Sequence, residues 1–418
     1  MRIVGLIAEY NPFHKGHTYH IQKAKELSGA DHVIVVMSGD FVQRGAPALL
    51  PKHLRAEMAL SCGADAVFEL PVSYATGSAE LFATGAVSLL DQLGVTDALC
   101  FGAECDALST LEPVAQTLAA EPQDYRLSLR RALKSGVPFP LARQRALEEH
   151  FKLAGSEAAD FSSMLSLPNN ILAIEYLKAL YRLDSSIEPF VLKRKDSDYH
   201  QETLQRGFNS ASAIRKVFSD STDIRQIRDL LADPLPAPCL SIIEREYGKR
   251  LPVMANDFSL LTKHALLCHS ARELEQYQDL SPELSNRIAR HLGSWTNFEE
   301  FCELIKTRDL TYTRVSRALI HILLEIKKDD IHSYIRQGYH EYARLLGFRK
   351  ESHSILSEIH KKSSLKLVTK SADHFALSSF GRKMLKKDVS AADLYESLLT
   401  DRYHTPFSFD FQKPIVKI

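Results

Sequence analysis

The stretch IVGLIAEYNPFHKGH, residues 3–17, decides the fold. It begins with a short apolar run over 3–8, passes through a polar turn and enters a segment with helical spacing over 17–27. The next apolar run, HVIVVM at 32–37, is β-branched and continuous, which is typical of a strand buried on both faces. A strand, a helix and a second buried strand in this order predict the beginning of a parallel sheet.

The alternation of strand and helix patterns extends through the first half of the chain. Helices are predicted at 52–62, 79–93, 168–183 and 210–218, and strands at 66–70, 98–101 and 187–192. This order predicts an α/β fold with a Rossmann-like, doubly wound parallel sheet over residues 1–218. Helical spacing at 256–270, 282–292, 298–306 and 313–328 then predicts a mainly α-helical domain over 219–418, with small strands near 365–368 and at the tail.

Composition limits the class of protein. The 418 residues are 45% hydrophobic and 25% charged, which is typical of a soluble globular chain of two or three domains. The 6 cysteines form no CxxC pair, which argues against a disulfide framework or a cysteine-rich zinc site. The sequence has no apolar run long enough for a membrane span, and its first residues lack the apolar core of a signal peptide. We therefore expect a cytoplasmic protein that does not enter a membrane.

Charge is unevenly distributed along a chain whose formal net charge is zero. Residues 301–418 hold 21 Lys and Arg against 14 Asp and Glu, whereas residues 1–300 hold 31 against 38. A basic C-terminal part is typical of a surface that faces a polyanion. A solvated helical surface would give the same pattern, so charge alone leaves both interpretations open.

Two histidines follow the first predicted strand, at the point where the first helix begins. His14 and His17 flank Gly16, so two imidazoles lie one turn apart at a helix N-terminus where the backbone can approach a ligand closely. This arrangement suits nucleotide phosphates, and the imidazoles can stabilise charge that builds on an α-phosphate. The alternatives are surface histidines, or a metal site with His20 on the same helical face. No HExxH motif or nearby carboxylate supports the metal.

A second phosphate-binding element is predicted after the last strand of the sheet. Ser210 and Ser212 open a helix, and Arg215 follows one turn later. Hydroxyls and free N–H groups at a helix start, together with a guanidinium, form a clamp for β- and γ-phosphates. A serine N-cap alone would be structural, but paired with HxGH it predicts the second half of an adenylyl-transfer site.

These segments resemble the HxGH nucleotidyltransferase superfamily and, more closely, the tRNA(Met) cytidine acetate ligase family. The resemblance rests on GLIAEYNPFHKGH (5–17), MSGDFVQRGAPAL (37–49), FGAE (101–104), LPNNILAIEYLKAL (167–180), LKRKDSDYH (192–200), SASAIRK (210–216) and TYTRVSRALIHILL (311–324). Two departures are visible: Lys15 stands where relatives are expected to carry Asn, and Ala211 replaces the second Ser of the superfamily's second signature. Ser212 stands in for its Thr, so either Ser210 or Ser212 is the hydroxyl that contacts the nucleotide.

The resemblance implies a catalytic domain of the HUP nucleotidyltransferase type that uses ATP, with Mg²⁺ expected alongside it. It further implies activation of acetate to acetyl-adenylate and transfer of the acetyl group to the wobble cytidine of elongator tRNA(Met), giving N4-acetylcytidine. Two other functions share the same motifs: a small-molecule adenylyltransferase, and a non-catalytic RNA-binding protein with a degenerate nucleotide fold. The first needs little beyond the sheet domain, and the intact HxGH histidines argue against the second.

The family's ATP-binding stretch maps onto residues 7–20 of this chain. Within and beyond that stretch, the implied nucleotide contacts are Ile7, Asn11, His14, Gly16, His17, His20, Gly102, Asn169 and Arg194. The catalytic residues are His14, His17 and Arg215. Asp40 follows the second strand, where it would either cap a turn or orient acetate and Mg²⁺.

The basic C-terminal part contains one cluster that would suit RNA. Its residues are Lys306, Arg308, Tyr312, Arg314 and Arg317. Arg314 and Arg317 share a helix face, and Tyr312 can stack on a base. Basic amphipathic helices are commonly just solvated, but the regional charge and the resemblance together favour a tRNA contact.

Overall fold

The computed structural model describes residues 1–105, 107–154, 161–194 and 210–418, with backbone alone at 162–163. Its strands are β1 (Ile3–Ala8), β2 (His32–Ser38), β3 (Phe41–Val42), β4 (Ala46–Pro47), β5 (Ala66–Leu70), β6 (Ala98–Ala103), β7 (Glu188–Lys193), β8 (Tyr342–Phe348), β9 (Lys366–Val368) and β10 (Val416–Lys417). Positions 195–200 of the segment LKRKDSDYH lie outside the described residues.

The helices of the described chain cover both faces of the sheet and form most of the C-terminal part. The first ten are α1 (Lys15–Ser28), α2 (Lys52–Ser61), α3 (Val72–Ala75), α4 (Ala79–Gln92), α5 (Leu108–Ala120), α6 (Gln123–Lys134), α7 (Phe139–Leu153), α8 (Phe161–Ser166), α9 (Pro168–Arg182) and α10 (Ala211–Asp220). The others are α11 (Ile224–Leu231), α12 (Ala237–Glu246), α13 (Ser259–Leu267), α14 (Ala271–Leu274), α15 (Pro282–His291), α16 (Phe298–Ile305), α17 (Tyr312–Leu323), α18 (Lys328–Arg336), α19 (His353–Lys362) and α20 (Ser379–Tyr403). No described helix meets the length and hydropathy needed to cross a bilayer.

The main sheet has 8 strands in the order β10-β8-β5-β2-β1-β6-β7, with β9 also pairing with β8. Neighbours among β5, β2, β1, β6 and β7 run parallel. The chain therefore builds outward from β1 in one direction through β2 and β5, and later in the other through β6 and β7. The predicted doubly wound parallel sheet is confirmed, and its switch point lies at the carboxyl ends of β1 and β6, where such sheets bind ligands.

The sheet strands are continuous apolar runs because both of their faces are buried. All side chains from Val33 to Val36 are fully buried, and alternate residues join two separate hydrophobic cores. One core contains residues of α4, α5 and α9, and the other contains residues of α1, α2, α10 and α12. This alternation explains why the run HVIVVM carries no polar residue.

The C-terminal part contributes strands to the sheet, which the sequence analysis predicted only in part. The expected strands near 365–368 and at the tail are present as β9 and β10. The strand β8 was missed; it runs antiparallel to β5 and is fully buried up to Gly347. Its Arg344 lies among buried carboxylates, 3.2 Å from Glu69. A charged residue is stable inside this strand because carboxylates from distant parts of the chain pair with it. The domain boundary at 218 stays a prediction, and the sheet itself extends across it.

Helix α17 packs against the hairpin formed by β3 and β4. The Ser316 hydroxyl donates to the Gly45 carbonyl at 2.6 Å. Gly45 has φ +72°, and a Cβ at that position would lie 2.3 Å from the backbone nitrogen of Arg317. Only glycine fits both the left-handed turn and this close approach. The contact brings the helical C-terminal part to the sheet edge where β2 ends.

Candidate active site

A cavity of about 630 Å³ lies at the carboxyl edge of the sheet. One wall comes from the ends of β1, β6 and β7 and the starts of α1 and α10, and the other from the β3–β4 hairpin, residues 253–255 and the start of α17. Thirteen of the predicted site residues line it: Ile7, Asn11, His14, Gly16, His17, His20, Gly102, Asn169, Arg194, Ser210, Ser212, Arg215 and Tyr312. The structure thus brings the predicted nucleotide-binding residues together in one place.

His14 and His17 form a reciprocal cap at the start of α1. His14 Nδ1 accepts from the Gly16 backbone N–H at 3.1 Å, and His17 Nδ1 accepts from the His14 backbone N–H at 3.2 Å. The two rings stack with centroids 3.8 Å apart. Because a backbone N–H can only donate, Nδ1 of each ring carries no proton, and each neutral imidazole is protonated at Nε2. Capping therefore fixes the tautomer of both histidines.

Burial and nearby cations keep these imidazoles uncharged. Desolvation, reinforced by Arg194 and Arg215, lowers the pKa of His14 to about 3. Desolvation and the neighbouring His14 hold the pKa of His17 well below its usual value. His20, one turn further along α1, is also desolvated, and its pKa falls to about 4. At neutral pH His14 and His17 are hydrogen-bond donors without charge, which suits a site that stabilises developing negative charge.

Arg215 joins the start of α10 to the loop that precedes α1. Its Nη1 donates to the Asn11 carbonyl at 2.7 Å, and its Nη2 donates to Ser212 Oγ at 3.1 Å. Ser210 caps α10, since its Oγ accepts from the Ala213 N–H at 3.0 Å. The Asn11 side chain in turn accepts from the Leu49 N–H at 2.7 Å. The guanidinium is held in place beside the N-terminus of α10.

The part of the cavity next to the end of β6 is built around Gly102 and Asn169. A Cβ at Gly102 would lie 3.3 Å from Cγ of Arg194, so glycine leaves room for that side chain at the end of β7. Asn169 Nδ2 donates to Glu104 Oε1 at 2.6 Å, and the Asn170 N–H donates to Glu104 Oε2 at 2.8 Å. Glu104 caps the start of α9 and orients Asn169, a role that was not predicted. Its position in the FGAE segment was the sequence feature that could have pointed to it.

Asp40 does not line the cavity. It is buried, and its Oδ1 accepts from the Lys52 backbone N–H at 2.7 Å, which satisfies a free donor at the start of α2. The sequence left open whether Asp40 caps a turn or orients acetate and Mg²⁺, and this hydrogen bond corresponds to the capping role.

The residues predicted to bind tRNA differ in their exposure and in the partners they have within the chain. Tyr312 is half-buried in the cavity wall, and Arg308 is exposed nearby in sequence. Lys306 pairs with Glu303 on its own helix. Arg317 forms an ion pair with Asp279 at 2.7 Å, and both side chains are 13% exposed. Arg317 therefore joins α17 to the preceding helices, while Tyr312, Arg308 and Arg314 retain some exposure.

One further cavity residue, Glu9, was given no role in the predicted site. Glu9 directly follows β1, and the β3–β4 hairpin also lines the cavity. Glu9 Oε1 accepts from the Gln43 backbone N–H at 2.8 Å, so the carboxylate links the segment between β1 and α1 to the hairpin. Only tertiary structure reveals this link, since 34 residues separate the two partners.

Comparisons with known proteins agree with the geometry. The family described as HIGH Nucleotidyl Transferase matches residues 1–407. The chain is 40% identical over 397 residues to the tRNA(Met) cytidine acetate ligase of Acetivibrio thermocellus, covering 94% of each chain. It is 40% identical over 418 residues to the tRNA(Met) cytidine acetate ligase of Thermoanaerobacter sp. (strain X514), covering 100% of each.

Solved structures show the same architecture over the full chain. The crystal structure of Thermotoga maritima TmcAL in apo form I superposes with a TM-score of 0.94 at 30% identity, covering 100% of both chains. The structure of the same protein bound with alpha-thio ATP gives a TM-score of 0.91 at 30% identity, again over 100% of both. The predicted resemblance is confirmed: this chain belongs to the HIGH nucleotidyl transferase family and, within it, to the tRNA(Met) cytidine acetate ligases.

Proposed function

We propose that this chain is an ATP-dependent ligase that acetylates the wobble cytidine of elongator tRNA(Met) to N4-acetylcytidine. Family membership supports the proposal, and one structural observation carries it: two neutral imidazoles with fixed tautomers at the N-terminus of α1. tRNA and ATP are cytoplasmic substrates, so the proposal places the enzyme in the cytoplasm.

The first step is attack of an acetate oxygen on the α-phosphate of ATP, with pyrophosphate as the leaving group. The Nε2–H groups of His14 and His17 donate to the α-phosphate oxygens as their charge grows. Arg215 and the start of α10 hold the β- and γ-phosphates through the guanidinium, free backbone N–H groups and the hydroxyl of Ser210 or Ser212. This is electrostatic stabilisation, without a covalent enzyme intermediate.

Adenosine occupies the part of the cavity next to the carboxyl end of β6. Ile7 and Gly102 allow the nucleoside to approach strand backbone, and Asn169 offers an amide oriented by Glu104. The side chain of Arg194 adds positive charge at the same edge. His20 lies deeper, and its buried Nε2 has no hydrogen-bond partner among the described residues, which suits contact with a polar ligand atom.

The described residues fit a magnesium ion that arrives with ATP. No described group of three His, Cys, Asp or Glu side chains could hold a metal ion by itself. In the described lining of the cavity, Glu299 is the exposed carboxylate that would be open to such an ion. Mg²⁺ commonly takes its ligands from substrate phosphates, water and one or two carboxylates. When bound, it would neutralise charge on the departing pyrophosphate.

The second step transfers the acetyl group to RNA. The wall formed by the β3–β4 hairpin and the start of α17 faces the nucleotide-binding loop, and Tyr312 can stack on the incoming cytosine. Arg308 and Arg314 then contact the tRNA backbone on either side of Tyr312, with Lys306 and Arg317 in the same cluster.

Mass spectrometry of tRNA nucleosides tests the proposal directly. After incubation of the enzyme with unmodified tRNA, ATP and isotope-labelled acetate, labelled N4-acetylcytidine should appear in elongator tRNA(Met). Omission of ATP or acetate should abolish it. A small-molecule adenylyltransferase would instead release pyrophosphate with a phosphorylated metabolite and not with acetate, and a non-catalytic RNA-binding protein would bind no ATP.

A further inference from the structure

Glu9 is a half-buried carboxylate in the lining of the cavity. Its backbone carbonyl accepts from Arg55 Nη1 at 2.6 Å, and its Oε1 accepts from the Gln43 N–H at 2.8 Å. Arg55 is fully buried and also donates to the carbonyl of Ser38 at the end of β2. The backbone of Glu9 is thus held by Arg55, and its side chain is held by the hairpin through Oε1. Its second oxygen, Oε2, receives no hydrogen bond from the described residues, and Glu9 lines the cavity.

The histidines next to Glu9 cannot accept a proton from a substrate. His14 and His17 use the lone pair of Nδ1 for capping and carry a proton on Nε2. Nε2 of His20 is fully buried, so the amine of an incoming RNA base does not reach it. Deprotonation of a substrate amine in this cavity therefore needs another group.

The described lining offers one other carboxylate, but its position differs. Glu299 lies on α16, is exposed, and accepts from Asn256 Nδ2 at 2.7 Å through Oε2. Glu9 directly precedes the loop that carries His14 and His17, and it contacts the hairpin on the wall opposite. A group between the phosphate-binding loop and the RNA-facing wall lies where the two substrates of the second step must meet.

We propose that Glu9 is the general base of acetyl transfer, an inference that rests on the proposed function. The N4 lone pair of cytidine forms a C–N bond with the acetyl carbonyl carbon. The bond between that carbon and the phosphate oxygen breaks, and its electron pair leaves on the phosphate of AMP. One N4 proton moves to Oε2 of Glu9, so no further reactant is needed.

The chemistry of cytidine explains why a base is required here and not in the first step. The N4 lone pair is delocalised into the pyrimidine ring, so the amine is a poor nucleophile until a proton is removed as the C–N bond forms. A positioned general base contributes roughly 10²–10⁴ in rate to such steps. Acetate, by contrast, attacks ATP as an anion and loses no proton.

The variant Glu9→Gln separates the two steps. The glutamine side-chain carbonyl can still accept from the Gln43 N–H, so the link to the hairpin is retained while the base is lost. Single-turnover acetyl transfer at saturating tRNA should fall by about 10²–10⁴ relative to acetate-dependent ATP–pyrophosphate exchange in the same variant. Trapping of acetyl-adenylate by hydroxylamine, whose lone pair is not delocalised into a ring, should follow the exchange rate and not the tRNA reaction.

Controls make the outcome decisive. Glu26→Gln removes an exposed carboxylate from α1 and should leave both reactions at the wild-type rate. Glu9→Asp keeps a carboxylate and should transfer acetyl groups at least about tenfold faster than Glu9→Gln. Transfer by Glu9→Gln at the wild-type rate, or equal transfer by Glu9→Gln and Glu9→Asp, would overturn the assignment. So would an equal loss of exchange, hydroxamate and transfer, which would place Glu9 in ATP or magnesium binding. Absence of exchange in the wild type would contradict the proposed function instead.

Discussion

Replacement of His14 by Asn and by Ala should separate its two roles. Nδ1 of His14 caps α1 through the Gly16 N–H, while Nε2–H faces the cavity. Ala removes both contacts, whereas Asn is a favourable N-cap that still lacks a donor at the position of Nε2. Loss of a donor to a developing oxyanion costs about 10²–10³ in rate, which corresponds to about 2.7–4 kcal/mol. Loss of the cap costs about 0.5–2 kcal/mol of stability.

Acetate-dependent ATP–pyrophosphate exchange measures the first quantity, and urea unfolding measures the second. Both variants should lose about 10²–10³ in exchange rate. Only His14→Ala should lose the additional 0.5–2 kcal/mol or so in unfolding free energy. Because burial lowers the pKa of His14 to about 3, wild-type exchange should show no loss of rate from protonation of this residue between pH 7 and pH 5.

Three results would refute this reasoning. Exchange within about fivefold of wild type in both variants would show that His14 donates nothing to the transition state. Equal unfolding free energies for the Ala and Asn variants would show that the cap is unimportant. An acid limb of the exchange rate near the usual histidine pKa, absent from His14→Asn, would show that the imidazole works as a cation. His360→Asn, at an exposed position on α19, serves as the control and should match wild type throughout.

Three further predictions concern substrate binding and stability. Arg215→Lys loses the fork that joins the Asn11 carbonyl to Ser212, so the KM for ATP in pyrophosphate exchange should rise, and an unchanged KM would argue against a phosphate clamp. Arg308→Ala with Arg314→Ala should reduce the slope of log tRNA affinity against log salt by about 1.4–1.8, whereas Arg317→Ala, which breaks a mostly buried ion pair, should chiefly lower thermal stability. A reduced slope with Arg317→Ala alone would reverse that assignment. Burial lowers the pKa of His340 to about 4 from 6.5, so between these values the unfolded chain binds a proton that the folded chain does not. The free energy of unfolding should therefore decrease by about 1.4 kcal/mol for each pH unit by which the pH is lowered through this range. His340→Gln should remove that share of the pH dependence in urea titrations across the same range.

Local patterns predicted the parts of the structure that depend on neighbours in sequence. The strand IVGLIA and the run HVIVVM could be recognised because each is a continuous apolar run, as expected of a strand that is buried on both faces. The histidine pair could be recognised from its position at a helix start. Long-range partners decided what the sequence could not show. The strand YARLLGF contains Arg344 and was not recognised, because the compensating carboxylates of Glu69 and Asp410 lie far along the chain.

The site residues show the same difference between local motifs and tertiary contacts. His14, His17 and Arg215 follow from motifs, whereas the role of Glu104 and the position of Glu9 follow from tertiary contacts alone. The RNA contact predicted for Arg317 stays a prediction. The helix pattern did not reveal the ion pair of Arg317 with Asp279, which lies in the turn before α15.

The late position of β8 and Asp410 in the chain has a consequence for synthesis on the ribosome. Lys52 and Glu69 are made early, but the Asp410 carboxylate that lies 3.0 Å from Lys52 Nζ is made 358 residues after Lys52. Until β8 is made, β5 presents an unpaired edge, and until Asp410 is made, Lys52 lacks one of its counterions. A ribosome that stops early therefore releases a chain with its histidine pair complete and its sheet open. Such products expose a strand edge and are prone to aggregation.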